Sequence, residues 1–172
     1  MKKYLFLSVG LLSLSAILFS SFVKEPKAKT VANQITWRSL EDVARLRKDI
    51  QKPILVDVYT DWCKWCKVMD ESTFQDPAII DYVNQHFYAV KLNAEQKEAI
   101  SLHGNKYEYQ PMGRRGINNI VLELLGSRPS YPSLVLWDGD MQQKKILKGY
   151  QKTAQLMPQL KNYLKENMLT SN

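Results

Sequence analysis

The apolar run Ile54-Leu55-Val56-Asp57-Val58-Tyr59 leads through Thr60-Asp61-Trp62 into Cys63-Lys64-Trp65-Cys66, and these two cysteines are the only ones in the 172 residues. The run reads as a buried strand interrupted by one carboxylate, and the spacing predicts a helix from Cys63 to about Glu71. A strand delivering two cysteines to the first turn of a helix is suited to electron exchange. The partial positive charge and free N–H donors of a helix N-terminus favour thiolate over thiol. Cysteines three apart can close a small ring, so that one attacks a partner and the other resolves the mixed disulfide. Two other uses are weaker. A permanent bridge would close a loop too short to stabilise much by chain entropy. A zinc site as a rule needs four ligands, and His86 and His103 are the only histidines.

The N-terminus bears on compartment. Met1-Lys2-Lys3 precedes Tyr4 to Val23, a stretch without charge, and the Lys-rich polar segment Lys24 to Gln34 follows. This is the layout of an export signal over residues 1–23, with a polar linker over 24–36. The stretch is also near the roughly 20 residues that span a bilayer, so an uncleaved anchor is the alternative. Serines at 8, 13, 15, 20 and 21 weaken a span, and a cut near Ala28 or Ala32 would suit the small-residue rule. In either case the body of the protein is expected outside the cytoplasm. Residues 37–172 are the length of one domain. The net charge is +7, two of it on Lys2 and Lys3, and the basic residues are scattered, which points away from nucleic acid as a partner.

Ser39-Leu40-Glu41-Asp42 has the form of a capping box and opens a helix to about Ile50, with Leu40, Val43, Ala44, Leu46 and Ile50 on its apolar face. Asp76-Pro77 starts a second helix, Ala78 to about Gln85. Strands are predicted at Phe87 to Leu92, at Ser133 to Trp137 and, after an Asp138-Gly139 turn, at Lys144 to Lys148. A last helix runs from Thr153 to about Asn167. Alternation at the start and a hairpin at the end predict an α/β fold, a mixed central sheet flanked by helices.

Val56 to Lys67 resembles the active-site segment of the thioredoxin family. Lys91-Leu92-Asn93 is similar to that family's next core strand, Tyr131-Pro132-Ser133 to its cis-proline loop, and Lys148-Gly149-Tyr150 to the glycine near its end. Glu71 to Ile79 is similar to the stretch after the cysteines in the periplasmic C-terminal domain of the membrane thiol:disulfide interchange reductase, and in small exported thioredoxin-like proteins of bacteria. The resemblance implies a thioredoxin fold with an insertion, about 94–130, before the cis-proline loop. It departs from thioredoxin where Lys64-Trp65 replaces Gly-Pro, a change that frees the redox potential from the family's value.

On this reading Cys63 is an exposed nucleophile, favoured as thiolate by the helix terminus and by Lys64 and Lys67, and Cys66 is the shielded resolving thiol. Asp57, costly in a buried strand, has a raised pKa and handles the Cys66 proton, with Lys91 as its partner; an ordinary ion pair is the alternative. Trp62 walls the cysteine site or else packs in the core. Trp65 lies between the cysteines, and Tyr131 and Pro132 face them and leave backbone free for an extended substrate. Within the insertion, His103 to Tyr109 is expected to form a small hairpin and Asn118 to Leu125 a short buried helix. These either flank the site or merely pack.

The function implied is an exported thiol:disulfide oxidoreductase, more a reductase than an oxidase, acting on disulfide-containing exported proteins. It needs no dissociable cofactor and no metal, and it draws electrons from a membrane donor. Two rivals stay open: a non-catalytic adaptor of the same fold, and a dedicated cytochrome-maturation reductant.

Overall fold

In a computed structural model the residues described are 33–138 and 144–170, with side chains to residue 167. The expected signal or anchor, the linker up to residue 32 and Gly139 of the expected turn lie outside them. Among the described residues no helix is long and apolar enough to cross a membrane.

Five strands form the central sheet in the order β1 (Trp37–Arg38), β3 (Tyr88–Asn93), β2 (Ile54–Tyr59), β8 (Ser133–Trp137), β9 (Lys144–Lys148). β1 and β2 run parallel to β3, while β8 is antiparallel to both β2 and β9, so the sheet is mixed. β2 is central and buried on both faces, which is why it reads as a nearly continuous apolar run. Side chains alternate across it. Val56 and Val58 join the core under α1 (Leu40–Leu46) and α4 (Asn119–Leu125). Leu55 joins the core under α2 (Lys64–Glu71), α3 (Pro77–His86) and α5 (Thr153–Thr170). Asp57 shares the Leu55 face, and the register sets it opposite Lys91 of β3.

The predicted caps form. Ser39 Oγ accepts the Asp42 N–H at 3.0 Å, and Asp76 Oδ1 accepts the Ala78 N–H at 2.9 Å with Pro77 in the first turn. Hydrogen bonding to Ser39, seconded by Arg45, holds the Asp42 carboxyl below its ordinary pKa. α1 ends at Leu46 rather than near Ile50, and Ile50 is exposed. The run Arg47-Lys48-Asp49 supplies no apolar residue to hold another turn against the sheet. Residues 34–36 also pack against the domain. Ile35 is buried, and Asn84 binds residues 34 and 36 through its amide.

The insertion holds two hairpins where the sequence indicated one. β4 (Ile100–Leu102) pairs with β5 (Asn105–Tyr107) through His103 and Gly104, both at positive φ as a two-residue hairpin turn requires. β6 (Tyr109–Met112) pairs with β7 (Arg115–Asn118). Asn118 then caps α4, which is the expected buried helix. Ile100, Leu102, Tyr107 and Ile117 enter the core shared with β2, so the insertion is packed.

Gly116 is needed for close approach. A Cβ there would collide with the Tyr109 ring and come within 2.5 Å of the Gln110 carbonyl oxygen, which is backbone and cannot swing aside. Gly116→Ala is therefore expected to cost about 1–3 kcal/mol in stability, read as a lower midpoint in urea unfolding.

Candidate active site

Cys63 is the N-cap of α2 and forms a disulfide with Cys66, the two Cα atoms 5.3 Å apart. The Cys63 N–H donates to Thr60 O at 3.1 Å, turning the chain out of β2, and the Cys66 N–H donates to Cys63 Sγ at 3.1 Å. That donor and the end of an eight-residue helix both favour negative charge on the Cys63 sulfur once the bridge is reduced.

The exposure expected of Cys63 is not found. In the disulfide form Cys63 is 5% exposed and Cys66 2%, because each sulfur is turned toward the other. The surface belongs instead to the flanking rings, Trp62 at 53% and Trp65 at 57%. Core packing for Trp62 is thereby excluded. Its ring meets Tyr131 edge-on at 6.0 Å, and its Nε1–H donates to Glu95 at 2.9 Å. From the second hairpin, Arg115 lies over the Trp62 ring at 4.4 Å and pairs with Glu95 at 3.7 Å. Trp65 leans the other way, against Tyr150 at 5.5 Å, and Lys64 is exposed in the first turn of α2. Tyr150 is anchored by its hydroxyl to Ser72, and Thr73 Oγ1 donates to Gln151 O at 2.6 Å.

Between these rings lies an open groove of about 350 Å³ lined by Trp65, Tyr131, Pro132, Gly149 and Tyr150. The Tyr131–Pro132 bond is cis. The Gly149 N–H donates to Pro132 O at 2.8 Å, so the two loops that shape the groove are bonded to each other. Tyr131 lies two residues before the first β8 residue and stands outside the sheet ladder. Burial, assisted by Glu95, pushes its phenol up to about 12, so it is a neutral donor at physiological pH.

Beneath α2, Asp57 is 1% exposed. Its Oδ2 accepts from Lys91 Nζ at 2.6 Å, while Oδ1 is buried without a hydrogen-bond partner. Burial raises its pKa to about 6 against the pull of Lys91. Lys91 also binds Asp70 and lies within about 5 Å of the rings of Tyr59, Trp37 and Phe74. Burial lowers the Lys91 pKa, but the two carboxylates outweigh it and the net shift is upward, so the ammonium is charged at neutral pH. Lys91→Met would leave two carboxylates without their cation. It is expected to cost about 3 kcal/mol at pH 7 in chemical denaturation, and less at pH 5 where Asp57 takes up a proton.

The structure thus gathers Cys63, Cys66, Trp62, Lys64, Trp65, Tyr131 and Pro132 around one surface site, with Asp57 and Lys91 below. Asp70, Glu95, Arg115 and Tyr150 were missed from the sequence. Asp70 had a local signal, since it lies four residues after Cys66 and so on the same helix face. Arg115 and Glu95 meet only through the fold. Among the described residues no group of three or more His, Cys, Asp or Glu is placed to hold a metal.

Fold and site together are those of a thioredoxin-like protein. A solved DsbH oxidoreductase superposes with a TM-score of 0.55 at 21% identity, covering 83% of this chain and 92% of that one. A thioredoxin from Thermus thermophilus gives 0.55 at 14% identity, covering 76% and 88%. The chain belongs to the Thioredox_DsbH family, described as proteins of unknown function (DUF255), whose model matches residues 20–116. It is related to DsbD. The thiol:disulfide interchange protein DsbD of Pectobacterium atrosepticum is 28% identical over 94 residues, 49% of this chain and 16% of that protein. DsbD of Vibrio vulnificus strain YJ016 is 39% identical over 54 residues, 30% and 9%. The match therefore takes in only a small part of the length of these relatives.

Proposed function

We propose that this chain is an exported thiol:disulfide oxidoreductase that reduces or exchanges disulfides in extracytoplasmic proteins. The observation that carries the reading is the Cys63–Cys66 disulfide at the N-terminus of α2, with the cysteine sulfur accepting a helix N–H. The exported location is supported by the layout of residues 1–34 and by the kinship with DsbD.

In the dithiol form the Cys63 thiolate attacks one sulfur of a partner's disulfide. A mixed disulfide forms and one partner thiolate leaves, taking a proton. Cys66 then loses its proton and attacks Cys63 Sγ, which expels the second partner thiolate and closes the Cys63–Cys66 bridge. Two electrons and two protons pass to the partner. Asp57, with one carboxylate oxygen free of hydrogen bonds and a pKa raised to about 6, is suited to receive the Cys66 proton. An extended partner segment would lie along the groove and pair with the Tyr131 backbone. Return to the dithiol requires a reductant, proposed to be a membrane dithiol donor.

The test is an equilibrium titration of the pair in dithiothreitol buffers combined with insulin reduction. A potential near that of thioredoxin, about −270 mV, together with turnover is the expected result. A value near −120 mV would make the protein an oxidant, and no turnover would reject the enzyme reading in favour of an adaptor.

A further inference from the structure

Four large apolar side chains are exposed among the described residues: Ile50, Trp62, Trp65 and Met112. Two of them belong to the rim of the cysteine site, and a third is tied to it through the second hairpin. Trp62 and Trp65 flank Cys63, and Met112 is paired in the second hairpin with Arg115, which covers Trp62. Apolar surface gathered in one place and bordered by charge marks an interaction face.

The charges on that rim are unbalanced. Lys64 and Lys67 stand on the first two turns of α2, and Lys67 lies one turn from Cys63, its N–H bonded to the Cys63 carbonyl. Arg114 and Arg115 stand at the tip of the second hairpin. All four are exposed, and Lys64, Lys67 and Arg114 form no ion pair among the described residues. The acids of the same rim are Asp61 and Glu95. Asp61 accepts from the neutral Asn93 amide and keeps its charge, while Glu95 accepts from Trp62 and pairs with Arg115. Lys64, Lys67, Arg114 and Arg115 thus outnumber the acids, and the rim carries an excess of positive charge above an aromatic floor.

We propose that this rim selects partners that carry acidic side chains next to their reacting cysteine, with the Arg114-Arg115 tip of the insertion as the selecting element. The selection acts on the reaction of the proposed function and rests on it. Opposite charges raise the rate of encounter and fix the register of approach, and like charges reject the wrong partner. This gives the insertion a use that its packing alone does not explain. It brings one wall to the site and places two cations on it.

The experiment uses the full chain reduced with dithiothreitol and freed of it. It is mixed with short disulfide-bridged peptides that differ only in having Asp and Glu, or Lys and Arg, beside the bridge. In low salt the acidic peptide is expected to be reduced at least about tenfold faster than the basic one, at the lower end of electrostatic steering. The ratio should fall toward about 2 in 0.5 M salt. Arg114→Gln with Arg115→Gln should bring the ratio in low salt below about 3. Lys161→Gln with Lys165→Gln, an equal charge change on α5, should keep it near ten. Because the ratio compares two peptides on one protein, a general loss of rate in either variant cancels. A ratio near 1 in the wild type, or an equal drop in both double variants, would overturn the proposal while leaving the redox function standing. So would sedimentation with anionic lipid vesicles accompanied by no peptide preference, which would assign the rim to a membrane surface. Failure to reduce either peptide would remove the redox function, and this selection with it.

Discussion

Replacing Cys63 by serine is expected to bring disulfide reduction down to the uncatalysed rate, whereas Cys66→Ser is expected to stop the reaction one step later with the partner still attached. The asymmetry follows from position. Cys63 caps α2 and its sulfur accepts the Cys66 N–H, so the helix N-terminus acts on that sulfur first. Cys66 lies inside the first turn, is almost wholly buried, and can reach only the sulfur beside it. In Cys63→Ser the remaining thiol has no path to a macromolecular disulfide. In Cys66→Ser the first attack proceeds and no thiol follows, so the mixed disulfide persists. Insulin turnover, with non-reducing gels and mass spectrometry of the trapped species, reads both outcomes. Trapping by Cys63→Ser instead of Cys66→Ser would reverse the roles of the two sulfurs. Equal turnover in wild type and Cys63→Ser would remove the enzyme reading altogether. Both cysteines are buried as the disulfide, but the helix N-terminus and the Cys66 N–H favour the thiolate at Cys63, so alkylation after reduction should label it before Cys66.

The parts of this arrangement that were legible in the sequence are those specified by local chemistry. A six-residue run of Ile, Leu, Val and Tyr broken by one Asp reads as a strand buried on both faces, and β2 is that strand over the predicted residues. Ser39 and Asp76 mark helix starts because their side chains satisfy free N–H groups within three residues. The resemblance to thioredoxins, rather than local chemistry, marks Gly149 and the Tyr131–Pro132 step, the two loops of the groove. What was hidden depends on long-range packing. β1 is only two residues long and exists because β3 offers it an edge. The second hairpin has Pro111 in one strand and Gly116 in the other, a composition that argues against strands. It forms because Gly116 lets the Tyr109 ring lie across it. The Trp62–Glu95–Arg115 contact joins three separate segments, and no periodicity in any of them foretells it. The low exposure of Cys63 in the disulfide form is hidden from the sequence for a related reason. A helix N-terminus predicts where a sulfur sits, while its accessibility in this form depends on the bridge, which turns it toward Cys66.

Asp57→Asn is expected to make the protein more stable at pH 7 and slower as a catalyst. Burial raises the Asp57 pKa to about 6 from the 3.8 of an unperturbed aspartate. Between those values the folded state holds a proton that the unfolded state has released, so folding stability falls as pH rises from about 4 to about 6 and then levels off. A shift of this size is worth about 3 kcal/mol for a group so fully buried, and the bond to Lys91 already opposes it. Asparagine carries no charge to desolvate, and Lys91 keeps Asp70 as its counter-ion. A gain of about 1–3 kcal/mol at pH 7 follows, shrinking toward zero near pH 4. Urea unfolding of both proteins across that range measures it. A difference that widened toward acid would contradict the raised pKa. Activity should move the other way. Asparagine cannot accept the Cys66 proton, so release of the mixed disulfide should slow, and the rate should lose its inflection near pH 6. Gain in stability with loss of rate from one substitution would mark Asp57 as a charge that folding disfavours and the redox reaction uses.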